Sequence, residues 1–343
     1  MNGSIFQGFT NEEVFEMMCL RAGREGRDDR LFGGLGRRAT SLIRPFIIGR
    51  SFPIVFWEFP LKGDPYLDTS VLYKTLSEED VVKSPYAKGC EKLIPVYSRM
   101  RCEHHDICFG FELDTSKEDP GLAAVHFEPR QHTELVGSFC GSIGEDAYGR
   151  LYLRMASKLS DVIPPSFFGM FRGRPDAPLR ICGYMGPEET AAIAGGSDIL
   201  IKLFRTVGFT AYDGQMLDDI REILGLAPFI ADYQFDIYPD ESAGDVFSID
   251  VRLFATSQSK VRESFEKGIS ASVLSFFRKR GIADERTDLI SGMTASFAFP
   301  VQDESSRIAG QTMILHPMWL KIRWKASRLQ NAKCYSVLKS YRI

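Results

Sequence analysis

The chain has 343 residues, 44% of them hydrophobic and 25% charged, enough apolar material for a large globular core. Its net charge of −3 supplies no global cationic field for nucleic acid or an anionic membrane. No apolar run approaches the roughly 20 residues a membrane helix needs. The opening MNGSIFQGFTNEEVFEMM lacks the basic-then-apolar order of a secretion signal. Seven cysteines, odd in number and irregular in spacing, argue against a disulfide framework. A cytoplasmic, reducing location is expected.

In chain order, residues 1–50 read as N-terminal helices with a Gly/Arg-rich loop, and 51–343 as one α/β barrel-like unit. A helix is predicted over 10–22. The Gly- and Arg-rich stretch 22–40 reads as a mobile loop, or as a lid whose arginines gather an anion. Ten β-rich runs follow, at 54–60, 67–74, 107–114, 121–128, 178–185, 232–239, 246–254, 292–299, 317–325 and 332–339. Short polar turns such as KGDPY, TSKEDPG, DESAGD and ASRLQN join most of them into antiparallel hairpins. Helical patterns occupy 76–92, 132–160, 187–206, 214–226 and 259–281. In the last, Val261, Phe265, Ile269, Val273 and Phe276 share one helix face.

Hairpins alternate with helices, unlike the strand–helix–strand order of a parallel sheet. ICFGFELDTSKEDPGLAAVHFEP and DYQFDIYPDESAGDVFSIDVRLFA share a layout, each followed by a long helical pattern. The fold class expected is α+β: a closed barrel of about ten antiparallel strands, built from repeated α-β-β-α units, with an outer ring of helices. Closure removes the exposed strand edges and leaves an interior open to a ligand.

Alternation sorts each strand into two faces. Leu179, Ile181 and Met185 oppose Arg180, Cys182 and Tyr184. Tyr233, Phe235 and Ile237 oppose Gln234, Asp236 and Tyr238. Phe247, Ile249 and Val251 oppose Ser248, Asp250, Arg252 and Phe254. Leu320, Ile322 and Trp324 oppose Lys321 and Arg323, and Cys334 opposes Lys333 and Tyr335. Either these polar faces meet water on an ordinary sheet, or they line a lumen. In a lumen the cations need neutralising, by Glu58, Asp236 and Asp250 in part and by a bound polyanion for the rest.

This pattern resembles the ABBA-type, or PT-barrel, aromatic prenyltransferases. That family holds a prenyl diphosphate on Arg and Lys of neighbouring barrel strands, with tyrosines shielding the allylic cation. Lys333-Cys-Tyr335 matches its recurrent cation-x-Tyr form. Lys339-Ser-Tyr341 repeats the form beyond the last predicted strand. Lys321-Ile-Arg323 is similar to the paired-cation variant, and Arg180 with Tyr184 is a looser version. Arg252 departs from it, having Phe254 where a Tyr is expected.

The resemblance implies transfer of a prenyl group to an aromatic small molecule, amino acid or peptide side chain. It implies Arg180, Arg252, Lys321, Arg323 and Lys333 for the diphosphate. Tyr184, Tyr238 and Tyr335 would shield the cation. Glu58, or else Glu112, would serve as the catalytic carboxylate on the acceptor. Magnesium is possible, although Asp218-Asp219 does not complete a DDxxD metal motif. The alternatives are a non-catalytic barrel for a phosphorylated or acidic ligand or peptide, and an interaction protein with solvated cationic faces.

Three further features stand out. Cys102-Glu-His104-His105-Asp-Ile-Cys108 carries metal-ligating residue types without a recurrent zinc spacing. Arg172 and Arg174, in a loop rich in Pro and Gly, could reach a phosphate at a barrel mouth or form a surface turn. Gly33-Gly34 and Gly195-Gly196 lack the spacing of phosphate loops, and His126 and His316 read as packing or capping residues.

Overall fold

Period-2 alternation of apolar and polar residues is what lets a strand bury one face and line a lumen with the other. The computed structural model describes residues 11–48, 52–115, 117–174, 176–227, 231–253, 258–302 and 308–342. Its strands are β1 (Ile54–Pro60), β2 (Asp68–Tyr73), β3 (Cys108–Asp114), β4 (Ala124–Glu128), β5 (Phe167–Met170) and β6 (Leu179–Met185). They continue with β7 (Ala231–Ile237), β8 (Ala243–Arg252), β9 (Ala295–Gln302), β10 (Ile308–Lys325) and β11 (Arg328–Arg342). Neighbours pair antiparallel in the order β1 to β8, then β10 and β11, and β11 returns to pair with β1. Ten strands therefore close a barrel.

The tenth member is not the one the sequence suggested. β9 pairs only with the Ile308–Leu315 half of β10 and stands outside the ring. Its place is taken by β5, a four-residue strand, FFGM, too short to show alternation. The β10–β11 turn is also tighter than expected. Ala326 and Ser327 both have positive φ (47° and 61°) and join the strands directly. β11 runs to Arg342, so Lys339 and Tyr341 lie within it.

The expected helices at 10–22 and 214–226 are found as Asn11–Ala22 and Gly214–Leu226. Three longer patterns are each split into two helices, around Gly144, Gly195–Gly196 and Gly268. The 76–92 stretch is not an α-helix. It is irregular apart from the turn Pro85–Ala87, and the helix comes later, at Leu93–Glu103. The segment read as a mobile Gly/Arg loop is also helical, at Arg27–Phe32 and Gly36–Ile43. Arg27 is buried and donates to Ala22 O at 2.8 Å, and Arg38 to Glu118 O at 2.6 Å, so these side chains tie the segment down. Among the described residues no helix is long and apolar enough to cross a membrane.

The apolar core lies between barrel and helices. Trp324, Ile322 and Leu320 are fully buried on the outer face of β10. Phe204, from helix Ile199–Val207, meets Phe235 and Phe247 at 5.9 and 4.9 Å. Phe139, from helix Leu135–Gly141, stacks on Phe127 at 3.9 Å. Burying such rings offsets the entropy of ordering the chain.

Gly110 marks the tightest approach in the wall. A Cβ there would stand 2.1 Å from the carbonyl oxygen of Val71 on β2. Backbone cannot yield as a flexible side chain can, so the β2–β3 register depends on this glycine. Replacing Gly110 by Val should destabilise the fold by about 1–3 kcal/mol or prevent closure. A thermal melt matching wild type would refute this.

Candidate active site in the barrel lumen

The lumen-facing side chains are those at even positions of β1 to β4 and β6 to β8, Trp319, Lys321 and Arg323 of β10, and odd positions of β11 from Asn331 to Val337; bulges at Pro317/Trp319 and Arg323/Trp324 shift the alternation of β10 outside that stretch. The lumen is divided along its axis. Toward the end where β10 turns into β11 lies a cavity of about 170 Å³. Five carboxylates (Glu58, Asp68, Glu112, Asp114, Asp236) and five cations (Arg174, Arg180, Lys321, Arg323, Lys333) line it, with Phe171 and Gln234. Opposite charges sharing one chamber offset part of the cost of burying either.

Several of these charges are paired. Lys333 Nζ contacts Glu58 Oε1 and lies 3.8 Å from Asp68 Oδ2. Arg180 Nε donates to Asp236 Oδ1 at 3.1 Å, across the β6–β7 pair that sets them opposite one another. His126 Nε2 is 2.9 Å from Glu112 Oε2. The His126 ring occupies the space a side chain would need at Gly169 on β5. Lys321 Nζ donates to Gln234 Oε1 at 2.7 Å and to Tyr335 Oη at 3.1 Å, and Gln234 Nε2 donates to Asp250 Oδ2 at 2.6 Å.

Arg323 and Arg174 differ. Among the described residues neither has a carboxylate within ion-pair distance. Arg174 instead lies over the Phe171 ring at 5.2 Å. Lys321 and Arg323 point into the lumen because Leu320, Ile322 and Trp324 take the core face of the same strand.

These surroundings set the protonation states. Burial raises the Glu58 carboxyl, but Lys333 and Lys321 outweigh it and hold the group below its usual range. Glu112 is likewise held low, against burial, by His126, Arg180 and Lys321. Asp68 goes the other way: burial, then repulsion from Glu58, pushes it from 3.8 to about 8. Burial also lifts Asp250 to about 6, and raises Asp232 through burial and Asp250 beside it. Burial, then Glu58, keeps the Tyr335 phenol un-ionised.

The other half of the lumen is aromatic. Phe56 and Trp319 are 5.2 Å apart, Trp319 meets Tyr335 edge-on at 6.3 Å, and Phe167 and Tyr184 are 5.7 Å apart. Tyr184 donates its hydroxyl to Glu128, and Arg130, paired to Glu128 at 2.7 Å, covers the Tyr184 ring at 4.7 Å.

Glu58, Glu112, Arg180, Lys321, Arg323, Lys333 and Tyr335 therefore come together around one chamber. Three predicted residues do not join them. Tyr238 lies beyond the end of β7 and is 40% exposed, so it faces solvent at the rim. Arg252 lies toward the opposite end, paired in register with Trp319, over whose ring it sits at 5.9 Å. Phe254, its predicted neighbour, is outside the described residues. Tyr184 is in the lumen but in the aromatic half.

Of the two loop arginines, Arg174 lines the cavity. Arg172 is buried outside the barrel, donating to Lys88 O at 2.8 Å. Asp219 pairs with Arg280 at 2.6 Å on the outer helices. Cys102 is exposed while Cys108 is buried at the start of β3, and the Cys102-to-Cys108 motif does not gather into a site. Sequence reasoning missed Asp68, Tyr66 (its ring 5.0 Å from Lys333 Nζ) and the lumen role of Trp319. Asp68 carried a signal, since it opens a strand whose Ser70 and Leu72 share its face.

No protein-family model matches the chain, and no curated protein does. Solved structures are similar to it. The crystal structure of NotF prenyltransferase is 12% identical, with a TM-score of 0.49 over 99% of this chain and 98% of that one. NotF in complex with brevianamide F and DMSPP is 11% identical, with a TM-score of 0.50 over 99% and 97%. The prenyltransferase PriB, in a ternary complex with L-tryptophan and dimethylallyl thiolodiphosphate, is 11% identical, with a TM-score of 0.44 over 96% and 94%. Likeness at this identity is likeness of fold: the chain has the prenyltransferase barrel.

The Asp68 shift has a measurable sign. Between about pH 4 and pH 8 the folded state keeps a proton that the unfolded state releases, so this group's contribution to stability falls as pH rises through that window. The melting temperature of Asp68→Asn minus that of wild type should therefore grow from about pH 5 to pH 8. A difference independent of pH would mean that Asp68 ionises normally.

Proposed function

We propose that the chain is an aromatic prenyltransferase, moving a prenyl group from an allylic diphosphate to an aromatic acceptor. The observation that carries this reading is a pair of lumen arginines, Arg323 and Arg174, without acidic partners among the described residues: Asp68 keeps its proton and Asp114 pairs with Lys117 at 2.8 Å, so Glu58, Glu112 and Asp236 are matched by Arg180, Lys321 and Lys333 alone. A bound anion completes that balance. The shared fold with NotF, solved with brevianamide F and DMSPP, supports the same reading.

The chemistry follows from the two halves of the lumen. A chamber of about 170 Å³ is below the roughly 300 Å³ of a site for a drug-sized ligand. It suits the diphosphate, with the prenyl chain against Phe56, Trp319 and Tyr335. The allylic C–O bond breaks and its electron pair leaves with the diphosphate. Arg323, Arg174, Lys321 and Lys333 stabilise the growing negative charge in a water-poor, low-dielectric space. Aromatic faces stabilise the cation. The acceptor ring forms the new C–C bond, and its proton passes to Glu58, whose carboxylate Lys333 keeps ionised. Glu112, engaged by His126, is the less available base.

Among the described residues no three lumen carboxylates bring ligand atoms together, so a magnesium ion would be held by one or two of them together with the diphosphate and water. The seven cysteines are all free, in keeping with a reducing, cytoplasmic setting.

Dimethylallyl or geranyl diphosphate, incubated with a panel of indoles, phenols and tryptophan-containing peptides, should yield an acceptor heavier by one prenyl unit and free diphosphate by mass spectrometry. Calorimetry showing no diphosphate binding would overturn the proposal, and binding without turnover would favour a non-catalytic barrel. Arg323→Ala should lower kcat/KM by about 10²-fold. Stability should change by no more than about 0.5 kcal/mol, because no buried pair is broken.

A further inference from the structure

We propose that His104, His132 and Glu134 form a surface site for a divalent metal of the zinc class, outside the barrel and independent of the lumen chemistry. One ligand atom from each lies within 4.8 Å of the other two. The three come from two segments of the chain. His104 caps the C-terminus of helix Leu93–Glu103, His132 stands in the turn after β4, and Glu134 precedes helix Leu135–Gly141. The two imidazoles are 4.2 Å apart between centroids, inclined at 51°.

His132 is oriented on both sides. Its Nε2 is 3.0 Å from Asp106 Oδ1, and its Nδ1 is 3.4 Å from Glu134 Oε1. A ligating imidazole usually has its second nitrogen held by a carboxylate, which fixes ring direction and raises basicity. Asp106 supplies that hold and leaves Nδ1 facing Glu134. Two imidazoles and a carboxylate suit zinc, cobalt or copper better than magnesium or calcium, which prefer all-oxygen sets. Tetrahedral coordination needs ligand atoms roughly 3.3 Å apart, from metal–nitrogen bonds of about 2.0–2.1 Å. The 61% exposed side chain of Glu134 is free to close that difference. Three protein ligands leave a fourth position open to water. Bound metal would tie the helix to the loop carrying Arg130, which closes the aromatic end of the lumen over Tyr184.

The test uses the full chain, stripped with chelator and titrated with Co²⁺ and Zn²⁺, in wild type and in Cys102→Ser to remove the exposed thiol. One equivalent should bind in both, with the visible absorption of tetrahedral Co²⁺ and no thiolate charge-transfer band, and Zn²⁺ should raise the melting temperature. His104→Ala and His132→Ala should each weaken binding about tenfold or more, and Asp106→Asn by less. His132→Gln, closer in shape, guards against a folding defect and should lose the metal while keeping the wild-type circular dichroism. Absence of binding, loss of it in Cys102→Ser, or wild-type affinity in the histidine variants would each overturn the proposal.

Discussion

The pairing of β11 with β1 is the constraint on which the rest depends. Val55 through Pro60 register against Leu338 through Lys333, and this one ladder turns an open sheet into a ring. Without it, Lys333 would sit on an edge strand in water, where its pair with Glu58 would contribute little. With it, both groups lie in a low-dielectric interior, each fixing the ionisation of the other. The unusual protonation of Asp68 and Asp250, the neutral Tyr335 phenol and the exclusion of bulk water all follow from the same closure.

Closure also explains why the lumen carries so many acids. A ring of cations alone could not be buried at acceptable cost, and carboxylates on β1, β2, β3 and β7 share the chamber with cations on β6, β10 and β11. What distinguishes a binding site from a merely balanced interior is the remainder. Arg323 and Arg174 have aromatic or neutral neighbours where the other cations have ion pairs or hydrogen bonds. The two halves of the lumen then provide for the two ends of an amphipathic molecule, one crowded with charge and one rich in aromatic rings.

Much of this was legible in the sequence because alternation is a local property. Lys321 and Arg323 between Leu320, Ile322 and Trp324 announce a face before any partner strand is known. Ring membership is not local. Nothing in FFGM tells it from a loop, and ASFAF alternates well enough to be taken for a barrel strand, yet pairing places the first in the ring and the second outside it. Position along a strand was equally hidden. Arg252 has the right face, but only its register opposite Trp319 puts it in the aromatic half. Tyr238 follows the alternation of β7 one step past the strand's end. The helix boundaries failed where Pro85 and glycine-bearing turns overrode periodicity, as between Lys74 and Leu93.

The closing ladder bears on how the chain acquires its fold. Its paired residues are roughly 280 positions apart, so the contact that completes the ring is among the most non-local the molecule makes. During synthesis β1 is exposed long before β11 leaves the ribosome, and until then β1 and β10 present unsatisfied edges around a half-built polar trough. Such an intermediate is open to strand exchange with a second chain. The barrel architecture thus shifts the hazard from the finished protein, which has no exposed edge in its ring, to the interval before the last strand docks, where chaperone capture or slow elongation would be felt most.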